Sequence, residues 1–425
     1  MNDEDVAGNA HVRTMQLLSA TLSAGSAVRV ALLNSKGLQA SYNELGIAEA
    51  AMVEVSLPPN PTFSLSRIQT PVELDIERRI IVSILALAIL PARAELAAER
   101  FRQAQLRAAL ETLRVGFEAR RAYYRAIAAQ ELTASMAQAV SAAQSAAKLA
   151  KELGETGAMN KLDQAREEAF YAELSTQLAA ARQRAASERE RLVRALGLED
   201  YAALKLPRAL PPLPKAPRAL AGVETEAIRR RVDLQIARLK AETTAKTYGL
   251  TSATRYINLL EVAGISRTQR ESSGPAGTGG GAEIDFQIPI FDFGEARVRR
   301  ASKIHMRAIY RLTELAINAR SQARETYRIY RSSYDVATRY RRDVLPLRKI
   351  IADEAMLRYG AMQIDVFALL TEARQRIAAN IAAIEAQRDF WLASSELDAA
   401  LIGGGAAVGE SSPRAPNSTV AGTND

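Results

Sequence analysis

TGAMNKLD (residues 156–163) and YGAMQIDV (residues 359–366) carry the same tripeptide, Gly-Ala-Met, in a chain with only eight methionines. Each follows a long run of helix-forming residues. Gly360 lies 203 positions after Gly157, and the same offset places Arg324, Tyr327 and Arg328 on Arg121, Tyr124 and Arg125, an Arg-x-x-Tyr-Arg spacing ahead of both tripeptides. Further upstream the offset becomes 196, where Leu234-Gln235 matches Leu38-Gln39, as differing loop lengths require. The sequence therefore predicts a duplication, each copy running helix, strand pair, long helix, tip and return helix. On this reading the tripeptides are two equivalent turns, one per tip. Arg121, Tyr124, Arg324 and Tyr327 read either as interhelix contacts or, the reading preferred, as surface stacking on the long helices without function.

The segments follow from that frame. Residues 1–26 are an N-terminal extension, 27–203 the first repeat, 204–222 a proline-rich linker, 223–402 the second repeat, and 403–425 a Gly/Ser/Pro-rich tail read as disordered. From about Glu95 to Glu155 there is no proline, and Leu106, Leu110, Leu113 and Phe117 alternate steps of four and three, one face of a helix. Sixty residues of helix would be roughly 90 Å long at ~1.5 Å per residue. In the return helix, Ala165, Ala172, Ala179, Ala186 and Val193 repeat every seven residues, a coiled-coil-like seam of small side chains. LKLPRALPPLPKAPRALAG (204–222) is too rich in proline for helix or central strand. Pro346 predicts a kink in the second long helix.

Strands are expected at about 62–69, 77–90, 255–267 and 282–290, and tips at about 156–162 and 359–366. GAEIDFQIPIFDFG has period two: Ile284, Phe286 and Ile288 point one way, while Glu283, Asp285 and Gln287 point the other. That pattern suits a soluble sheet edge and equally a membrane barrel with lipid outside and water inside. IIVSILALAIL (80–90) is too short to span a bilayer as a helix but long enough as a tilted strand. Four strands cannot close a barrel, and an open edge in lipid leaves backbone groups unpaired, so a membrane reading forces several chains to share one barrel. GTGGGA imitates a dinucleotide fingerprint, but a strand and not a helix follows it, so that reading fails.

Composition narrows the chemistry. With no cysteine and only His11 and His305, thiolate metal sites, disulfides and cysteine nucleophiles are excluded, and no cofactor or metal is expected. No nucleophile–base constellation stands out, so no enzymatic activity is expected. The net charge of +8 is spread over mixed-sign helical faces such as ARQRAASERERLVRA, which reads as solvated surface and not as a nucleic-acid site. MNDEDVAGNA lacks the basic-then-apolar pattern of a secretory leader, which suggests either a cytoplasmic chain or a missing start.

AVRVALLNSKGLQASYNELGIAEAAMVEVSLPPNPTFSLS, QIPIFDFGEARVRRA and the GAM-bearing tips resemble the TolC-type outer-membrane efflux proteins over residues 27–402. The resemblance implies a mainly α, α+β fold: duplicated long helical hairpins forming a trimeric α-barrel, with four strands per chain given to a shared transmembrane β-barrel. It implies an outer-membrane exit duct with its helical part in the periplasm. The implied partners are a periplasmic adaptor, an inner-membrane pump and outer-membrane lipid, with no nucleic acid. It assigns Gly157, Ala158, Met159, Asn160 and Lys161, with Gly360, Ala361, Met362, Gln363, Ile364 and Asp365, to the adaptor-docking tips. It assigns Asp163 to an aperture latch, and Glu283, Asp285 and Gln287 fall to the barrel lumen. The second tip departs from the family, since Val366 and Leu369 stand where acidic residues often ring the pore. The rival reading is a cytoplasmic coiled-coil scaffold with no transport role.

Overall fold

The structure, a computed structural model, describes residues 3–71, 73–199, 204–219, 221–257, 259–271, 274–287 and 291–404. The expected tail from residue 405 onward lies outside them. The first half runs α1 (Asp3–Ser19), α2 (Ala24–Asn34), α3 (Lys36–Ser56), β1 (Thr62–Gln69), β2 (Glu73–Ser83), the short α4 (Ile84–Ala88), α5 (Leu90–Glu155) and α6 (Lys161–Leu196). The second half runs α7 (Val223–Arg230), α8 (Val232–Ala253), β3 (Leu260–Glu271), β4 (Gly277–Phe286), α9 (Glu295–Arg339), a π-helical stretch Tyr340–Val344, α10 (Leu345–Gly360) and α11 (Val366–Ile402).

α5 is an unbroken helix of 66 residues, about 100 Å at ~1.5 Å per residue. Its counterpart, Glu295–Gly360, is equally long but carries the π turn immediately before Pro346. Proline has no N–H to give the preceding turn and its ring crowds the carbonyl four residues back, so the ladder widens there instead of breaking.

The four strands form one antiparallel sheet in the order β1-β2-β3-β4, the β2–β3 pairing joining the two halves. Strand limits shift from those expected. The apolar run 80–90 divides: β2 ends at Ser83, whose hydroxyl accepts the Ala86 N–H and caps α4, because the Ala/Leu-rich remainder favours helix. β2 starts at Glu73, so most of TPVELDIE is strand, and the Thr70 N–H to Glu73 carbonyl bond (2.8 Å) closes the hairpin. The glycine run after Pro275 lies within β4, paired with Ile265–Gln269, and not in a loop. Ile288 and the rest of 288–290 fall outside the described residues.

The two largest clusters of the core are tied by one tryptophan. On one side α2 packs on the middle of α5 and the end of α6 through Ala27, Val30, Ile127, Leu192 and Leu196. On the other, α7, α9 and α11 enclose Tyr330 and Phe390. Trp391 stacks on Tyr124 (5.2 Å) and meets Phe390 edge-on (5.1 Å). Tyr124 is therefore a buried core residue and not a surface one, and Arg324 pairs with Glu224 (3.1 Å). The proline-rich linker lies across this junction as a strap. Extended chain has no internal hydrogen bonds, so helix side chains supply them: Trp391 Nε1 and Gln387 Nε2 donate to the Pro211 carbonyl (2.9 and 2.7 Å), and Tyr334 donates to that of Pro214 (3.1 Å). Glu131 accepts the Leu210 N–H (2.8 Å); burial pushes its carboxyl up, against the pull of that donor. Residues 1–26 include α1, held to α2 by the Asn34 amide donating to Thr14 Oγ1 (2.9 Å).

Candidate functional site

The far end of the long helices carries both tips. At the first, α5 ends at Glu155, Gly157 turns left-handed (φ 75°), and the Ala158 and Met159 N–H groups both bond the Leu153 carbonyl. Asn160 caps α6 by accepting the Asp163 N–H (2.9 Å). At the second, α10 ends at Gly360, Met362 is left-handed (φ 58°), and the Gln363 N–H bonds the Arg358 carbonyl (2.8 Å). Asp365 caps α11 by accepting the Ala368 N–H (2.7 Å).

The two tips are built alike, but their equivalent residues lie 205 positions apart. Left-handed Gly157 matches Met362, and the cap Asn160 matches Asp365. The repeated Gly-Ala-Met, aligned at 203, is thus two residues out of structural register: Gly360 is the last residue of a helix, Met159 is buried at 9% exposure, and Met362 projects at 94%. A non-glycine side chain in that conformation costs about 1–2 kcal/mol.

Within the chain Asp163 is held locally, taking the Asn160 amide (2.7 Å) and the Arg166 guanidinium (3.0 Å). It reaches the second tip only through Arg166, whose guanidinium lies over the Phe367 ring (5.7 Å). The direct bond between the two hairpins is elsewhere. Glu167 of α6, with its side chain 2% exposed, accepts Arg374 Nη2 of α11 at 2.6 Å. The same guanidinium lies over the Phe170 ring (4.3 Å) and reaches the Arg166 carbonyl (3.4 Å).

The helical seam is also displaced from its expected place. Val193 is buried as expected, but Ala165, Ala172, Ala179 and Ala186 are exposed, and the buried line over that stretch of α6 is Glu167, Leu174, Leu178 and Ala181, facing Met136, Ala139 and Ala143 of α5. The period of seven is right; the face is two residues away.

At the other end, the sheet has two chemically distinct sides, because paired residues of antiparallel strands project together. One side carries Asp75, Glu77, Arg79, Arg267, Glu283 and Asp285. Arg79 pairs with Glu77 (2.6 Å) and Glu283 (3.3 Å), and Arg267 pairs with Asp75. Gln287 lies just past β4, exposed, its N–H on the Leu259 carbonyl (3.3 Å). The other side presents Phe63, Leu65, Ile80, Ile284 and Phe286, all more than half exposed. β1 and β4 are unpaired edges.

Such a sheet mounted on paired helices of this length has close counterparts among solved structures. The outer-membrane channel OprN matches with a TM-score of 0.75 at 18% identity, covering 89% of this chain and 90% of that one. A membrane protein from Pseudomonas aeruginosa matches at 0.75 and 16%, covering 89% and 90%. The outer membrane protein VceC of Vibrio cholerae matches at 0.72 and 13%, covering 89% and 96%. This is the TolC-type channel fold. No protein-family model matches the sequence, and no curated protein does.

In the TolC-type fold the tips and the sheet stand at opposite ends of the molecule, so the expected site residues form two sites and not one. The eleven tip residues cluster at one end, and Glu283 and Asp285 lie at the other. Sequence reasoning missed Glu167, Arg374, Asp75, Glu77, Arg79 and Arg267. The period-two spacing of Asp75, Glu77 and Arg79 was the available signal for three of them. Among the described residues, no group of histidines and carboxylates is arranged to hold a metal, and no helix is long and apolar enough to cross a membrane.

Proposed function

We propose that the chain is the outer-membrane exit duct of a tripartite efflux or secretion system, a passive conduit without catalysis. Three copies close a shared β-barrel, the helices continue it as a periplasmic tunnel, and an adaptor and an inner-membrane pump open the tips. One observation carries this reading: a four-stranded sheet, exposed and apolar on one face, charged on the other and unpaired at both edges, is mounted on helices about 100 Å long. Isolated, such a sheet would be an aggregation template. Closed against copies of itself, its apolar face meets lipid and its charged face water. The exposed stripe Ala165, Ala172, Ala179 and Ala186 supplies a close-packing surface for the neighbouring copy. Met362, Gln363 and Ile364, with Ala158 and Lys161, offer the adaptor a docking surface. The Glu167–Arg374 pair holds the two hairpins together in the closed aperture, with Asp163 and Arg166 beside it.

The absence of cysteines makes a direct test available. β1 and β4 of one chain are separated by two strands, about 14 Å at ~4.8 Å per spacing, which is beyond disulfide reach. Ser64→Cys combined in turn with Gly277→Cys, Gly279→Cys, Gly281→Cys or Glu283→Cys can link only between copies. A trimer ladder on a non-reducing gel, in the outer-membrane fraction, is the expected result. Monomer at every register would refute the shared barrel.

A further inference from the structure

The apolar face of the sheet is not uniform. Near the helices it is aliphatic and aromatic, but toward the hairpin ends the register brings arginines onto it. Leu65 pairs with Arg78, Arg78 with Ser266, and Ser266 with Gly280; Arg67 pairs with Ile76, and Leu74 with Arg270. Arg67, Arg78 and Arg270 therefore project on the same side as Phe63, Ile80 and Phe286, all three exposed.

On the opposite face Arg79 and Arg267 each have a carboxylate. On this face, among the described strand residues, there is none. Arg67 reaches only the Gln69 amide oxygen (3.2 Å), and Arg78 reaches only the Thr268 hydroxyl (3.3 Å). Charges sorted in this way onto an apolar surface are costly unless an anion comes from outside the chain.

The space around them suits such an anion. Ser266, Thr278 and Gly280 sit beside Arg78 in the register, and a side chain added at Gly280 would meet only the Ile265 carbonyl, at 3.8 Å. The result is a cationic patch with hydroxyl donors, interleaved with apolar surface. Apolar side chains flank the arginines on this face: on β2, Leu74, Ile76, Ile80 and Val82 alternate onto the same side as Arg78.

We propose that Arg67, Arg78 and Arg270 bind the phosphates of anionic lipid headgroups, whose chains lie on Phe63, Leu65, Ile80 and Val262. This rests on the duct reading, in which this face meets the bilayer. The guanidinium fork matches phosphate oxygens, and an amphiphile is the one ligand that satisfies the cationic patch and the apolar side chains around it together. The binding holds phosphate headgroups against the arginines at the hairpin end of the sheet.

The test uses the full chain, inserted into vesicles of phosphatidylcholine with or without phosphatidic acid and then extracted into neutral detergent. Wild type should insert into both and retain phosphatidic acid selectively, less so as salt rises. R67Q/R78Q/R270Q should insert into neutral vesicles as wild type does but retain on the order of tenfold less phosphatidic acid. R67K/R78K/R270K should fall between the two. Equal retention by the Gln variant, no selectivity in wild type, or full displacement by inorganic phosphate would overturn the proposal alone. Failure of wild type to insert into either vesicle would overturn the duct reading and this proposal with it.

Discussion

On the proposed duct reading, Arg374→Met should loosen the contact between the two hairpins more than any other single change near the tips. Glu167 is buried and receives its guanidinium at 2.6 Å, while Arg374 is 28% exposed. Removing the arginine leaves a carboxylate with no counterion inside the helix contact. Breaking a buried pair from one side costs about 3–5 kcal/mol, and the partial exposure of Arg374 argues for the lower end, about 3 kcal/mol. At about 1.4 kcal/mol per tenfold, that is roughly two decades in the balance between docked and separated hairpins in each chain. The double variant Glu167→Met/Arg374→Met removes both charges and leaves apolar side chains beside Phe170, which should restore docking, since buried pairs are often replaceable by apolar contacts. In the proposed trimer, conductance in a planar bilayer reads the aperture, and amide exchange over residues 157–170 reads the docking. The single variant should be leakier and exchange faster, with the double near wild type. If Arg374→Met leaves conductance and exchange unchanged, or if the double is as leaky as the single, the pair does not hold the hairpins.

Three further outcomes follow from local geometry. Met362→Gly should stabilise the second tip by about 1 kcal/mol by relieving a left-handed side chain, and Gly157→Ala should destabilise the first by a similar amount, both read by amide exchange. Since a Cβ at Gly157 meets nothing within 4 Å, the cost there is backbone alone. Trp391→Phe keeps the aromatic contact with Tyr124 but loses the bond to Pro211, which Gln387 still satisfies, so unfolding by denaturant should show a loss of about 1–2 kcal/mol. Glu131 is raised above its ordinary value of 4.5, so its contribution is fully present below that pH and is lost as pH rises through the folded-state value. Glu131→Gln keeps an acceptor for the Leu210 N–H and should be more stable than wild type at neutral pH, the gap closing on acidification toward pH 4.5.

The long helices, the strand pairs and the duplication were legible because each rests on local periodicity: no proline through α5, alternation from Glu283 to Phe286, a heptad in α6. Register was not. Gly-Ala-Met looked like the shared turn, yet cap geometry sets the tips 205 residues apart. Hydrogen bonding to Leu153 and Arg358 decides where a helix reverses, and three matching letters do not. The alanine heptad shows the same limit: period seven is common to every face of that helix, and within the chain the contact with α5 takes the line two residues away. Glu167 and Arg374 lie 207 positions apart, and nothing local links them.

The sequence by itself determined that long helices and strand pairs alternate, that they occur twice, and that Glu283 and Asp285 face away from Ile284 and Phe286, because backbone preference and side-chain alternation act over a few residues. Tertiary structure alone decided which residues of those elements meet: Trp391 between two cores, Arg374 on Glu167, three arginines on the apolar side of the sheet. Those pairings depend on strand register and helix rotation, which are fixed by burial summed over the whole molecule and are invisible in any short stretch of it.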